Sequence, residues 1–199
     1  MTVPGSASIP LPGGQPGANV GVKLLRCGES LAPPGWFYRD QAGSFLGAIG
    51  VRVPRGQWLR TPIGAFLLDH PGVGPFLVDT GLHPGAADSI VRDFGRVNAQ
   101  AFRTLRMAPE DAVAAQLSRD GLDPDEIGLV VMTHLHVDHT SGMSQFPGAQ
   151  FVCSQAEWEA ATARRAVLNG YVGRHLPAAE RVRTIDFDGP DARSHGPFD

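Results

Sequence analysis

At 199 residues the chain has the length of one domain and can bury a substantial core. Its 17 basic and 20 acidic residues leave a formal charge of −3 with no basic stripe, which argues against nucleic acid as a partner. Cys27 and Cys153 are the only cysteines and form no C-x-x-C, so reduced thiols in a cytoplasmic protein are expected rather than a disulfide framework. No run approaches the roughly 18 apolar residues of a membrane-spanning helix.

In chain order, residues 1–19 are rich in Gly and Pro with scarcely a charge. They lack the basic and apolar regions of a secretory signal and read as a flexible leader or as residues upstream of the true start. Residues 20–199 read as the folded domain. Val20 to Leu25 reads as a first strand, and residues 28–44 as a loop carrying Trp36, Phe37 and Tyr38. Those aromatics could line a substrate wall, although packing under the loop as a satellite cluster is the preferred reading. Phe45 to Val53, Gly64 to Leu68 and Phe76 to Val78 read as strands of a β-meander, with hairpin chemistry at Asp69-His70-Pro71-Gly72. Ala86 to Phe94 is helix-like and closed by Gly95. A second helix opens at Pro109-Glu110-Asp111 and closes at Gly121. Pro124-Asp125-Glu126 then turns the chain into a strand from Gly128 to Met132. Ala149 to Cys153 is a further strand, and Ser154 caps a helix to about Leu168 with Glu157 at the capping-box position. Beyond Gly170 the signal fades, and residues 186–199 suggest no element.

The chemistry concentrates in Thr133-His134-Leu135-His136-Val137-Asp138-His139-Thr140-Ser141-Gly142, directly after an apolar strand. An extended backbone through His134–His136 points both imidazoles to one side, because strand side chains alternate. Asp138 and His139 are adjacent and join them only if the chain turns after Val137. Imidazole and carboxylate donors suit Zn, and also Fe or Mn. Four donors this close crowd one tetrahedral ion and fit better as pairs, His134 with His136 on one ion and Asp138 with His139 on its neighbour. Two ions about 3.5–4 Å apart can activate water and polarise a carbonyl or phosphoryl oxygen. No Ser-His-Asp array or phosphate-cradling Gly loop competes with this site.

His134-x-His136-x-Asp138-His139 after an apolar strand resembles the signature of the metallo-β-lactamase-fold hydrolases. Phe76-Leu77-Val78-Asp79-Thr80-Gly81 resembles that family's earlier strand and Asp-x-Gly turn, and residues 121–134 resemble the lead-in of its N-acyl-homoserine-lactonase-like branch. The resemblance covers about residues 45–160 and implies an α/β (α+β) fold, an αββα sandwich. It also implies a two-zinc hydrolase of an ester, lactone or related acyl compound, with a small-molecule substrate, a metal-bound hydroxide as nucleophile and Asp138 holding or relaying a proton. Asp79 would support the metal loop from behind, a role compatible with capping the Thr80-Gly81 turn. His83 reads as part of a surface turn.

The resembled family draws further ligands from later strands. His175 follows a helix and His195 lacks an apolar strand before it, so neither is expected to be a ligand. The chain therefore reads as the amino-terminal portion of a longer hydrolase, with a sandwich incomplete at its C-terminus and its second sheet largely missing. Phe45, Leu46, Ile49, Phe66, Leu67, Leu68, Phe76, Leu77, Val78, Val130 and Val131 suggest a two-sided apolar core, one face of which would stand uncovered and favour self-association. Alternatives on the same fold are thioester or phosphodiester hydrolysis, iron-dependent sulfur oxidation, or a catalytically incomplete fragment.

Overall fold

Among the described residues, strands built mostly from β-branched and aliphatic residues number seven, and they join one sheet in the order of the sequence. The computed structural model describes residues 6–10, 15, 17–38 and 50–187. The strands are β1 (Ser6–Pro10), β2 (Asn19–Ala32), β3 (Leu59–His70), β4 (Gly74–Val78), β5 (Leu129–Val131), β6 (Gln150–Ser154) and β7 (Val182–Ile185). β1 to β4 pair antiparallel, and β4 to β7 pair parallel.

The meander is present, with strands longer than their apolar runs suggest. β2 continues to Ala32 through what reads as loop, because Ser30 to Ala32 find partners in Leu59 to Thr61. Ser6–Pro10, inside the stretch expected to be a leader, forms an edge strand on β2. Of the strand expected over Phe45 to Val53, residues 45–49 lie outside the described residues, and Gly50 to Val53 form a turn closed by Val53 N–H on the Gly50 carbonyl. β7 went unforeseen: Val182–Ile185 is short with polar Arg183 and Thr184 at its centre, and its strand state comes from pairing with β6.

Register separates two rows of side chains, since residues paired across neighbouring strands share a face. Leu67, Leu77, Val130 and Phe151 form one row. They pack with Leu25 and Ala65 against Phe94, Val113, Leu117, Phe146 and Ala161 in a single core. Leu24, Phe66, Val78, Val131 and Val152 form the row on the opposite face, outside that core. Phe66, expected in a two-sided apolar core with one face uncovered, is 44 % exposed.

Among the described residues five α-helices accompany the sheet: α1 (Gly85–Asp88), α2 (Ile90–Ala101), α3 (Val113–Arg119), α4 (Val137–Thr140) and α5 (Gln155–Thr162). Gly95 does not close its helix but kinks it, with φ 77°, and the helix resumes to Ala101. Pro109–Asp111 is a 3-10 turn that precedes α3, and α5 stops at Thr162, short of Leu168. Trp36, Phe37 and Tyr38 are exposed rather than packed under a loop, and Trp36 meets Phe102 only edge-on. Both cysteines are free and buried, and burial pushes each thiol up to about 11. Among the described residues no helix is long and apolar enough to cross a membrane.

Candidate metal centre

The site begins where β4 and β5 run out side by side. Asp79 N–H donates to the Val131 carbonyl, continuing the ladder one residue past β4. Asp79 then takes φ 63°, a left-handed conformation that non-glycine residues seldom adopt and that clusters at functional sites. The strain is held by three bonds on its buried carboxylate. Oδ1 accepts from Thr133 N–H at 2.9 Å, while Oδ2 accepts from Thr133 Oγ1 at 2.7 Å and from His139 Nδ1 at 2.8 Å.

The chain bends at Thr133, after which Leu135 is buried in the core and the rings of His134 and His136 lie together, with centroids 4.7 Å apart. The single helical turn α4 then brings Asp138 and His139 round. The His139 ring lies 3.9 Å from that of His134, and its Nε2 is 3.6 Å from Asp138 Oδ2. The turn is fastened to the β4 end, where Thr80 N–H and Oγ1 both donate to the His139 carbonyl and Gly142 N–H donates to the Gly81 carbonyl. Gly142 has no substitute here, because a Cβ would stand 2.4 Å from the Thr80 carbonyl oxygen.

Electrostatics divide the imidazoles. Burial, together with the neighbouring His139 and His136, lowers the pKa of His134 and favours its neutral form. Burial also works against a charged His139, but its hydrogen bond to Asp79 and the charges of Asp138 and Asp79 outweigh it and raise the pKa. With Nδ1–H donated to Asp79, His139 presents Nε2 as a lone pair, the tautomer a metal requires.

Other residues at the site had no functional signal in the sequence. Glu157, readable only as a capping residue, is capped through its N–H by Ser154 Oγ, yet its side chain turns away and accepts from Leu135 N–H at 3.0 Å. Tyr171 OH donates to both Glu157 oxygens at 3.3 Å, and its ring lies 5.0 Å from that of His136. Beyond α4, Ser141 Oγ donates to Asp93 Oδ2 at 2.5 Å and accepts from His83 N–H. The same Asp93 carries buried His175, whose Nε2 is 3.3 Å from Oδ1. His83 and His175 thus brace the loop without entering the ring cluster, and His195 lies outside the described residues.

The side chains suit a borderline divalent ion, being imidazole and carboxylate with one tautomer fixed from behind. Among the described residues no group of three His, Cys, Asp or Glu side chains is arranged to close on one ion.

Residues 58–193 match the metallo-beta-lactamase superfamily. The chain belongs to that superfamily. Curated members similar to it include an N-acyl homoserine lactonase of Bacillus thuringiensis, 31 % identical over 124 residues, or 61 % of this chain and 48 % of that protein. N-acyl homoserine lactonase AttM of Azorhizobium caulinodans is 29 % identical over 125 residues, 61 % of this chain and 46 % of that one. The chain spans about half the length of the curated superfamily members it matches. Among solved structures, an N-acyl homoserine lactone hydrolase with N-hexanoyl-L-homoserine at its catalytic metal center superposes with TM-score 0.62 at 22 % identity, over 83 % of this chain and 59 % of that one. AidC, a dizinc quorum-quenching lactonase, superposes with TM-score 0.54 at 14 % identity, over 93 % and 62 % of the two chains. These structures establish the metallo-β-lactamase fold.

Proposed function

We propose that this chain serves a metal-dependent hydrolase of lactones or related acyl esters. His134 and His136 hold one divalent ion, and Asp138 with His139 holds a second, zinc being the first choice. The observation that carries the reading is the Asp79–His139 hydrogen bond beneath a cluster of three imidazole rings, since a buried carboxylate fixing an imidazole tautomer is the usual support of a metal ligand. The lactonase names of similar proteins favour a lactone over other acyl substrates.

Bound ions supply Lewis acidity and lower the pKa of a coordinated water to about 7. The chain's own residues do the rest. Low-pKa His134 is neutral and free to donate its lone pair. Asp79 keeps the His139 proton on Nδ1, and the Asp138 carboxylate holds or relays the proton released during hydrolysis. The test is metal content by mass spectrometry after loading with zinc, alongside proton release from an N-acyl homoserine lactone. We expect bound zinc in the parent and its loss in His134→Ala and Asp138→Ala. A folded parent that stays metal-free in excess zinc, manganese and iron overturns the proposal.

A further inference from the structure

The Thr133–His136 segment owes its geometry to something beyond the sheet. β5 ends at Val131, so Leu135 N–H has no strand to pair with. The acceptor it finds is Glu157 Oε2, reached from the first turn of α5. That bond sits on the residue between His134 and His136, where a rotation of the backbone would send the two rings apart.

A second hold acts on the far side of His136. Val137 N–H donates to the Gly170 carbonyl at 3.0 Å. Gly170 has φ 91°, and a Cβ there would lie 3.1 Å from His136 Cδ2, so the turn presses its backbone against the ring. Tyr171, the next residue, lays its own ring beside His136 and ties its hydroxyl to Glu157. One carboxylate thereby links α5, the Gly170 turn and the donor segment.

We infer that Glu157 is a positioning residue for the His134–His136 donor pair, acting through Leu135 N–H and Tyr171. It touches neither ring and is not itself a ligand. The inference rests on the metal-centre reading above. What it adds is that geometry, not charge, is Glu157's contribution. A glutamine amide still accepts from Leu135 N–H through its oxygen and offers its NH2 to the tyrosine oxygen. Alanine leaves a buried-side N–H without its acceptor.

The experiment compares the full chain with Glu157→Gln, Glu157→Ala and Tyr171→Phe. Zinc affinity is read by competition with a chromophoric chelator, and metal-free melting and Leu135 amide exchange are measured on the same proteins. Glu157→Ala is expected to bind zinc about 10–100-fold more weakly, the usual effect of losing a partner behind the ligands. Glu157→Gln is expected to stay within about threefold of the parent, with Leu135 exchange accelerated only in the alanine variant. Tyr171→Phe should fall between them. A residue that merely stabilises the fold would lower the metal-free melting temperature while leaving zinc affinity unchanged. Equal zinc affinity in parent and Glu157→Ala overturns the inference and leaves the metal centre standing. A parent that binds no zinc removes both.

Discussion

The two faces of the sheet are made by the same strands yet live in different surroundings. The row Leu67, Leu77, Val130 and Phe151 lies under helices, and Leu77 and Val130 are wholly buried. One residue along each strand, Leu24, Phe66, Val78 and Val131 of the opposite row are as apolar but stay partly open, with Phe66 nearly half exposed, whereas Val152 at the end of the row is buried. Composition therefore does not tell the faces apart. What separates them is whether later segments return to cover a face, and the crossovers of the parallel half lay their helices on one side only. The donor loop belongs to the covered side's edge, because it emerges from β5 and is tied to β4, α2 and α5 by bonds that need a fixed core beneath them.

The contrast is tested most severely by truncation at paired positions. Leu77→Ala removes a fully buried side chain and is expected to cost about 2–5 kcal/mol. Val78→Ala, its neighbour on the open face, should cost under about 1.5 kcal/mol. Chemical denaturation of both variants decides the matter, and equal losses would mean that the second face is as well packed as the first.

Next in size is the seam between loop and sheet. Gly142→Ala drives a methyl group against the Thr80 carbonyl, a backbone atom that cannot swing aside, and should destabilise by about 1–3 kcal/mol. If the seam also holds the donors, the variant loses zinc affinity beyond what its lower melting temperature explains. A stability change with affinity intact would confine Gly142 to packing.

Much of this arrangement was readable beforehand, for physical reasons that differ by region. That His134, His136, Asp138 and His139 come together was legible because the signal is local: four polar side chains within six positions, delivered by an apolar strand and a polar turn. The partnership of Asp79 was legible because a carboxylate in an apolar run must find a donor. Glu157 and Asp93 were not, since each meets the loop only through tertiary contacts and looks from sequence like an ordinary residue of a helix. β7 escaped because a strand of four residues depends on its neighbour more than on its own composition. That one apolar face would stand uncovered was legible, but hydrophobicity alone could not say that Phe66 lies on it.

Smaller effects come from the Asp93 latch. Hydrogen bonds to His175 and Ser141 lower the Asp93 pKa below its ordinary 3.8 despite burial, which pulls the other way. A carboxylate whose folded pKa is depressed stabilises fully above its unfolded pKa, and that contribution is lost as pH falls through the folded value. Asp93→Asn should therefore cost about 1 kcal/mol near neutrality and show a flatter decline than the parent below about pH 4. Parallel decline of the two proteins in acid would mean that the latch carries no proton-linked stability.

The smallest change in folding stability is expected at Phe66, where the contrast between faces should appear instead in association. Its ring is 44 % exposed at the centre of the open row, flanked across the strands by Leu24 and Val78. Phe66→Ser removes apolar surface that faces water in the isolated chain, so it should change folding stability by under about 0.5 kcal/mol. A contiguous apolar face of this kind drives self-association, and the parent should sediment with a mass that grows with concentration. Phe66→Ser should shift that growth to higher concentration while Leu77→Ala, buried on the other side, should not. A parent that sediments as a monomer at every concentration would show that the open face needs no partner, and the distinction between the faces would then be one of packing density alone.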